Sequence, residues 1–157
     1  PMPVLDDLNR KILAELQQDG RITNQDLSDR VGLSPSPCLR RLRQLETNGT
    51  ITRYVALVDP QSVGLSVTAF VRVRLDQQDD QHLAIFESQI ATFHEVMECY
   101  LMSGDADYQL RVVVASLGDF EDFLRHKLTK IAGVSQVTTS FALRPIIYNT
   151  ALPLAPR

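Results

Sequence analysis

Arginine side chains are concentrated in one short stretch of this sequence. Arg40, Arg41, Arg43 and Arg53 lie between positions 34 and 54 with Glu46 as the only acidic neighbour, although the net charge of all 157 residues is −3. The charge of a local patch, rather than the total, decides whether a surface attracts phosphate. Arginine binds guanine through two hydrogen bonds or holds a phosphate, and glutamine can pair with adenine, so this stretch is a candidate nucleic-acid contact.

A helical arrangement separates the apolar from the polar residues of this stretch. At about 100° per residue, Cys38, Leu42 and Leu45 fall on one side, which predicts a buried face. The opposite side and its flank, the N-cap and the following extended segment give the predicted DNA-contacting residues Ser34, Ser36, Arg40, Arg41, Arg43, Gln44 and Arg53. A basic helix face that contacts only solvent is the alternative interpretation.

A glycine-containing turn with two carboxylates is the second candidate site. Gly104 permits a positive φ, and Asp105 and Asp107 can accept backbone hydrogen bonds, so the segment predicts a tight turn between two strands. Either carboxylate could also bind a cationic group of a ligand, while backbone N–H groups of the turn bind an anionic one. A turn without a ligand is the alternative interpretation.

The remaining reactive side chains predict neither a metal site nor a catalytic centre, and no cofactor is expected. His82, His94 and His126 are scattered without metal-ligand spacing, and Cys38 and Cys99 form no paired-cysteine motif. Both cysteines are expected to act as small apolar residues, whereas redox sensing would require an exposed Cys38 thiol. This cysteine usage, the lack of an apolar leader and apolar runs too short to cross a bilayer predict a cytoplasmic protein.

Two helices are predicted before the arginine-rich stretch. Apolar residues recur at helical spacing from Leu5 to Leu16, and Gly20 ends this first helix. Thr23 begins a second, shorter helix, and Gly32 ends it in the left-handed region.

The third predicted helix carries the arginines and is followed by an extended segment. Ser34 begins this helix and Gly49 follows it, after which residues 51–57 alternate as a short strand. Three helices, a tight turn between the last two and a following strand are the winged helix-turn-helix pattern. We assign this pattern to a domain at residues 1–58.

The rest of the chain changes to a mixed pattern of strands and helices. Alternating apolar residues predict strands at 67–75, 96–103, 108–114 and 134–147. Apolar residues at helical spacing predict one helix after the first strand and another after the third. The order βαββαβ is that of a ferredoxin-like domain, so the whole chain is predicted to be α+β. A linker at 59–64 precedes this second domain, 65–157.

One face of the predicted sheet has no helix over it. Phe70 and Val113 are expected there beside Arg72 and Arg74. A partly apolar, uncovered sheet face is more often a subunit interface than free surface, so at least a homodimer is expected.

Several segments carry a resemblance to the Lrp/AsnC (feast/famine) family of transcriptional regulators. LSPSPCLRRL at 33–42 resembles the start of the family's recognition helix. LDDLNRKIL at 5–13, GRITN at 20–24 and SGDADY at 103–108 resemble other family segments. AGV at 132–134 is similar to the family's Pro-Gly-Val, with alanine in place of proline. The resemblance covers nearly the whole chain.

The resemblance implies a DNA-binding N-terminal domain and an amino-acid-sensing C-terminal domain, in dimers that often build octamers. It implies that the effector binds around the glycine-containing turn, at an interface between dimers, with the last strand nearby. The implied effector-contacting residues are Ser103, Gly104, Asp105, Asp107, Tyr108, Thr138 and Ser140. Within the family, residues 65–71 and 140–154 resemble regulators that respond to cysteine.

The sequence leaves two classes of function open. The first is a sequence-specific DNA-binding transcriptional regulator, not an enzyme, whose partners are double-stranded DNA, a small amino acid and further copies of itself. The second is a ferredoxin-like module for small-molecule binding or catalysis with an accessory helical domain. The basic face of the third helix favours the first class, because an enzyme has no use for arginines opposite an apolar stripe.

Overall fold

The computed structural model describes residues 5–154 and divides into two compact units. The first unit comprises the chain up to Leu57 together with the segment that begins at Ile146, and the second comprises Val58–Pro145. Each unit has its own hydrophobic core. In the part of the chain that is described, no helix is long and apolar enough to cross a membrane.

Three helices form the first unit. They are α1 (Asp7–Gln18), α2 (Asn24–Val31) and α3 (Pro35–Thr47). Their apolar faces enclose a core of Ile12, Leu13, Leu27, Val31, Cys38 and Leu45. The predicted phase of α3 is confirmed, because Cys38 and Leu45 are both buried.

The ends of these helices follow local sequence signals. The Thr23 hydroxyl accepts a hydrogen bond from the Asp26 N–H at the start of α2, and Gly32 ends α2 with a φ of 74°. Both predicted caps are confirmed. Ser34 precedes α3 without a side-chain capping bond, so the fixed φ of Pro35 is the local signal that starts this helix.

The predicted strand at 51–57 does not form. Among the described residues it pairs with no other strand, and its one backbone–backbone bond to α3 is from the Ile51 N–H to the Leu45 carbonyl. An alternating segment becomes a strand only where a neighbour supplies ladder hydrogen bonds. The segment is held instead by Tyr54, whose hydroxyl donates to Glu46 at 2.9 Å and whose ring packs beside Gly20.

The second unit is a four-stranded antiparallel sheet with two helices, in the predicted βαββαβ order. Its elements are β1 (Val67–Leu75), α4 (Asp80–Ile90), β2 (Val96–Leu101), β3 (Tyr108–Val114), α5 (Leu117–His126) and β4 (Val134–Phe141). Short 3₁₀ turns lie at Gln61–Val63 and Leu128–Lys130. The spatial order of the strands is β2-β3-β1-β4, so β1 lies in the middle of the sheet beside β4.

One face of this sheet packs on the helices and the other remains open. On β1, Ala69, Val71 and Val73 are fully buried in the core with Phe86 and Phe123, side chains from the two helices. The side chains between them, including Phe70 and Arg72, are exposed, as the alternation predicted. Val113, which was expected on the open face, is only 6% exposed, so the apolar part of that face is smaller than predicted.

The end of the chain differs from its prediction. Strand β4 stops at Phe141 rather than near residue 147, because its neighbour β1 begins at Val67 and offers no further ladder residues beyond Thr68, whose carbonyl accepts from the Ala142 N–H. The segment from Ile146 was predicted as part of the second domain but belongs to the first unit. Residues 1–4 and 155–157 lie outside the described part of the chain.

Candidate DNA-binding and effector sites

The polar side of α3 forms an exposed surface. Ser36, Arg40, Arg43 and Gln44, all predicted to contact DNA, are exposed along this side. A shallow concavity of about 480 Å³ follows the helix and is lined by Ser36, Leu39, Arg40, Arg43, Gln44 and Thr47. In the described structure, neither Arg40 nor Arg43 takes part in an ion pair. Their guanidinium groups are therefore available to an anionic partner.

Helix α3 is fixed to α2 at its beginning. The Asn24 side-chain amide donates to the Pro35 carbonyl at 2.9 Å, and the Leu33 N–H donates to the Ser28 carbonyl at 2.9 Å. The buried Cys38 side chain adds apolar contact below this point. The start of α3 is thus fixed by hydrogen bonds and its rotation by the buried Cys38, so the exposed polar side of the helix has a defined orientation.

Arg41 differs from the other arginines of α3. Its Nη1 atom lies 2.6 Å from Asp6 Oδ2 and 3.1 Å from Asn9 Oδ1, so the guanidinium ties α3 to the start of α1. The Asn9 N–H and the Arg41 guanidinium together lower the pKa of the Asp6 carboxyl below its usual value. The position of Arg41 on the flank of α3 was predictable from the sequence, but its pairing with Asp6 and Asn9 was not.

Arg53 lies on the extended segment after α3 and is exposed. The adjacent Tyr54 fixes the segment through its bond to Glu46, and burial together with that bond raises the pKa of Tyr54 to about 12. The phenol therefore stays protonated and keeps donating at neutral pH. Arg53 is presented by a loop with a defined anchor rather than by a strand.

The predicted turn at 103–107 is confirmed as a glycine-dependent connection between β2 and β3. Gly104 has a φ of 127°, and the Met102 N–H donates to the Asp107 carbonyl at 2.8 Å. The Asp107 carboxylate accepts from the Leu75 N–H at 2.7 Å and lies 3.4 Å from the Gln78 amide nitrogen. Asp107 therefore holds the turn against the end of β1.

Asp105 projects differently and lies beside an arginine of the open sheet face. Its carboxylate oxygens are 3.4 and 3.5 Å from Arg72 Nη1, and both side chains are exposed. Arg72 is the register partner of Thr138 on β4 and of Gln109 on β3. A carboxylate, a guanidinium and a hydroxyl-bearing residue thus meet on one surface. Arg72 was predicted only on the uncovered sheet face; the strand register, which the sequence does not give, brings it to the turn.

Tyr108, predicted as an effector contact, is a core residue instead. It is 1% exposed, its ring stacks on Phe86 at 4.4 Å between centroids, and its hydroxyl donates to Glu87 at 2.7 Å. The reason is its phase on β3, which turns it to the same side as the buried Leu110. Ser103 and Ser140 are both exposed, and Ser140 is the register partner of Phe70.

The surroundings of both cysteines disfavour their thiolate forms. Cys38 is fully buried, and burial raises the pKa of its thiol, which is the opposite of what a redox-sensing thiolate requires. Burial also raises the pKa of Cys99, to about 11. Among the described residues, no group of three His, Cys, Asp or Glu side chains could hold a metal ion.

Two family descriptions match consecutive parts of the chain. The winged helix-turn-helix DNA-binding family matches residues 5–52, which contain α1 to α3. The Lrp/AsnC ligand-binding domain matches residues 68–152, which contain the whole sheet except Val67. The chain belongs to the Lrp/AsnC family. It is a DNA-binding transcriptional regulator with an amino-acid-binding domain, and the predicted fold class and function are confirmed.

Similar members of the Lrp/AsnC family extend over nearly the whole chain. The Bkd operon transcriptional regulator of Pseudomonas aeruginosa is 42% identical over 153 residues, covering 98% of this chain and 100% of that protein. The leucine-responsive regulatory protein of Escherichia coli K12 is 37% identical over 153 residues, covering 98% and 93%. These relatives are transcriptional regulators.

Solved structures of the family share this fold. A transcriptional regulator from Neisseria meningitidis in complex with L-methionine superposes with a TM-score of 0.91 at 41% identity, covering 96% of this chain and 97% of that one. An AsnC family regulator from Agrobacterium tumefaciens superposes with a TM-score of 0.90 at 43% identity, covering 95% and 97%.

Proposed function

We propose that this regulator reads DNA through α3 and changes its DNA affinity when an amino acid binds between Asp105 and Arg72. The observation that carries the proposal is the contrast among arginines of one helix. Arg41 is engaged with α1, whereas Arg40 and Arg43 face outward without an ion pair in the described structure. Since DNA is its partner, we also propose a cytoplasmic location.

Each predicted DNA contact has a proposed role that follows from its position. Arg40, Arg43 and Gln44 project from the middle of α3 and are proposed to reach base edges in the major groove. Ser34 and Ser36, at the start of the helix, and Arg53, on the following loop, are proposed to contact phosphates. Arg41 is proposed to hold α3 on α1 and to make no base contact.

The Asp105–Arg72 pair fits both ends of a zwitterion. Its 3.4 Å separation and the exposure of both side chains mean that the pair itself contributes little to stability. A ligand can therefore separate it at small cost, with Asp105 taking the ammonium group and Arg72 the carboxylate. Thr138 and Ser140, exposed on β4, are proposed to complete the site with their hydroxyl groups.

An apolar amino acid is the proposed effector. The relatives described above include a leucine-responsive protein and a regulator in complex with L-methionine. The resemblance to cysteine-responsive regulators has no counterpart in those names, so L-cysteine is a competing effector that a direct comparison must exclude. L-Methionine, L-leucine and L-cysteine are therefore the probes.

The open face of the sheet is the proposed surface for homodimer formation, with octamers as a further level of assembly. Phe70 is 40% exposed and Tyr100 is 57% exposed, and both belong to strands of the sheet. Exposed aromatic side chains in one sheet favour burial against a second copy. Light scattering at micromolar concentration tests this; a stable monomer would contradict it.

Calorimetric titration tests the effector site. L-Methionine is titrated into the wild type, Asp105→Ala and, as a control that removes an exposed carboxylate of α4 in the same unit, Asp80→Ala. We expect the loss of a charge-assisted bond to weaken binding about tenfold or more in Asp105→Ala, and far less in Asp80→Ala. Equal affinities in all three proteins, for each of the three probes, would refute the site.

A further inference from the structure

The C-terminal segment of the chain docks on α1 through a two-point contact. The Gln17 side-chain amide donates to the Leu152 carbonyl at 3.2 Å, and the Gln17 Oε1 atom accepts from the Leu152 N–H at 2.6 Å. One side chain thus satisfies both backbone groups of a residue far away in sequence. Leu154 follows and packs against the helical core together with Leu5 and Leu16. We call residues 146–154 the strap.

The strap is the direct continuation of the strand that carries proposed effector contacts. Strand β4 bears Thr138 and Ser140, and its last bond to the sheet is from the Ala142 N–H to the Thr68 carbonyl at 2.9 Å. A short stretch of chain then leads into the strap. A displacement at the end of β4 is therefore passed on through covalent bonds.

At its other end the strap meets the helix that supports α3. Gln17 lies in the last turn of α1, and Asp6 and Asn9 at the start of the same helix bind Arg41 of α3. A helix is rigid over this length, so a force on one end of α1 acts on the Arg41 contact at the other. The recognition helix and the strap are thus attached to opposite ends of one rod.

The strap is also held weakly enough to be released. Ile147 is 84% exposed and Tyr148 is 68% exposed, so much of the segment has little apolar burial. Segments with few buried contacts open at low free-energy cost, which is the property of elements that move in allostery. The docked and released strap are two states that a ligand on β4 can populate differently.

We infer that the strap transmits effector occupancy from β4 to the recognition helix through its contact with Gln17. This inference depends on the proposed effector site. The strap is a positioning element, since its contacts are with Gln17 and the helical core, and it carries none of the proposed DNA or ligand contacts. Its removal is expected to change how strongly the two sites communicate, and to change each separate affinity much less.

Gln17→Met tests the inference, with Gln18→Met as its matched control. Methionine preserves length and helix propensity but offers no comparable hydrogen bonds. Gln18 is the neighbouring, exposed residue of α1. DNA affinity is measured by fluorescence anisotropy with and without saturating L-methionine or L-leucine, and the ratio gives the coupling factor, which is about 5- to 150-fold in typical allosteric proteins. We expect Gln17→Met to reduce this factor at least about threefold, while Gln18→Met keeps it.

Hydrogen exchange at the Leu152 amide separates coupling from simple stability. We expect protection of this amide in the wild type and in Gln18→Met, and faster exchange in Gln17→Met. An unchanged coupling factor in a Gln17→Met protein with a deprotected Leu152 amide would overturn the inference and leave the strap a stabilising contact. An unprotected amide in the wild type would also overturn it. A wild type that responds to neither amino acid would instead refute the effector proposal, and the inference with it.

Discussion

Substituting Arg41 and Arg43 in parallel distinguishes an arginine that supports α3 from one that contacts DNA bases. The substitutions are Arg41→Met and Arg43→Met, which keep an unbranched side chain and good helix propensity while removing the charge. Arg41 is bound to Asp6 and Asn9, whereas Arg43 is exposed and outside any ion pair of the described residues. We expect the first variant to lose stability and the second to lose DNA affinity.

The expected loss of stability follows from the exposure of the Arg41 contact. The Arg41 and Asp6 side chains are 26% and 48% exposed, so solvent screens their attraction. An ion pair of this kind contributes about 0.2–1 kcal/mol, and the hydrogen bond to Asn9 adds about 0.5–1.5 kcal/mol. Arg41→Met should therefore lower the free energy of unfolding by about 1–2 kcal/mol. In a domain of this size, each kcal/mol corresponds to a melting temperature about 4–8 °C lower.

The pKa of Asp6 gives this prediction a pH dependence. Because the folded-state pKa is lowered from 3.8, the carboxylate contributes stability above the unfolded pKa and loses it as the pH falls through the folded value. The difference in melting temperature between the wild type and Arg41→Met should be full at neutral pH. It should shrink when the pH is lowered below about 4.

Calorimetric melting and anisotropy on one DNA duplex provide the assay. Arg43→Met should have a free energy of unfolding within about 0.5 kcal/mol of the wild-type value. It should bind DNA about 5- to 150-fold more weakly, because it loses one base contact. Arg41→Met, assayed well below its melting temperature, should bind more tightly than Arg43→Met does. Equal stability of all three proteins with equal DNA defects in both variants would refute the division of roles.

Three further variants test the second unit. Asp107→Ala should lower its free energy of unfolding by about 1–3 kcal/mol, because the buried Leu75 N–H loses its acceptor; calorimetric melting measures this. Asp105→Ala should leave the melting temperature nearly unchanged, since it removes only an exposed ion pair, but should weaken the binding of L-methionine in calorimetric titration. Tyr108→Phe should cost about 0.5–1.5 kcal/mol through the lost bond to Glu87, with unchanged L-methionine affinity.

Each of these expectations has a contrary result. Equal melting of Asp107→Ala and Asp105→Ala would contradict the distinction between the two carboxylates of the turn. A selective loss of L-methionine affinity in a fully stable Tyr108→Phe protein would show that Tyr108 contributes to the effector site and would contradict its assignment to the core alone.

Much of the fold was predictable because its signals are local. Thr23 and Gly32 mark the ends of α2 through chemistry within a few residues, and the alternation from Ala69 to Leu75 on β1 requires only a regular strand. The burial of Tyr108 was also accessible to this reasoning, since it lies in phase with the buried residues Leu110 and Val112 of β3. Its assignment to the effector site came from the family resemblance alone.

What sequence reasoning missed depends on contacts between distant residues. The pairing of Arg41 with Asp6, of Arg72 with Asp105 and of Gln17 with Leu152 each joins segments whose separation in sequence gives no periodic signal. The predicted strand at 51–57 failed for the same reason, because a strand is defined by its partner and not by its own pattern. The structure therefore adds most to the candidate sites through the register of the strands and through contacts between segments that are distant in sequence.

The central claim is tested most directly by DNA binding in the presence and absence of an amino acid. A duplex selected from a random-sequence library by the wild type is titrated with the wild type and with Asp105→Ala, each with and without L-methionine or L-leucine. We predict that both proteins bind the duplex equally without ligand, and that the amino acid changes the affinity of the wild type several-fold but not that of the variant. A wild type that selects no duplex, or a variant that responds to the amino acid as the wild type does, would contradict the account.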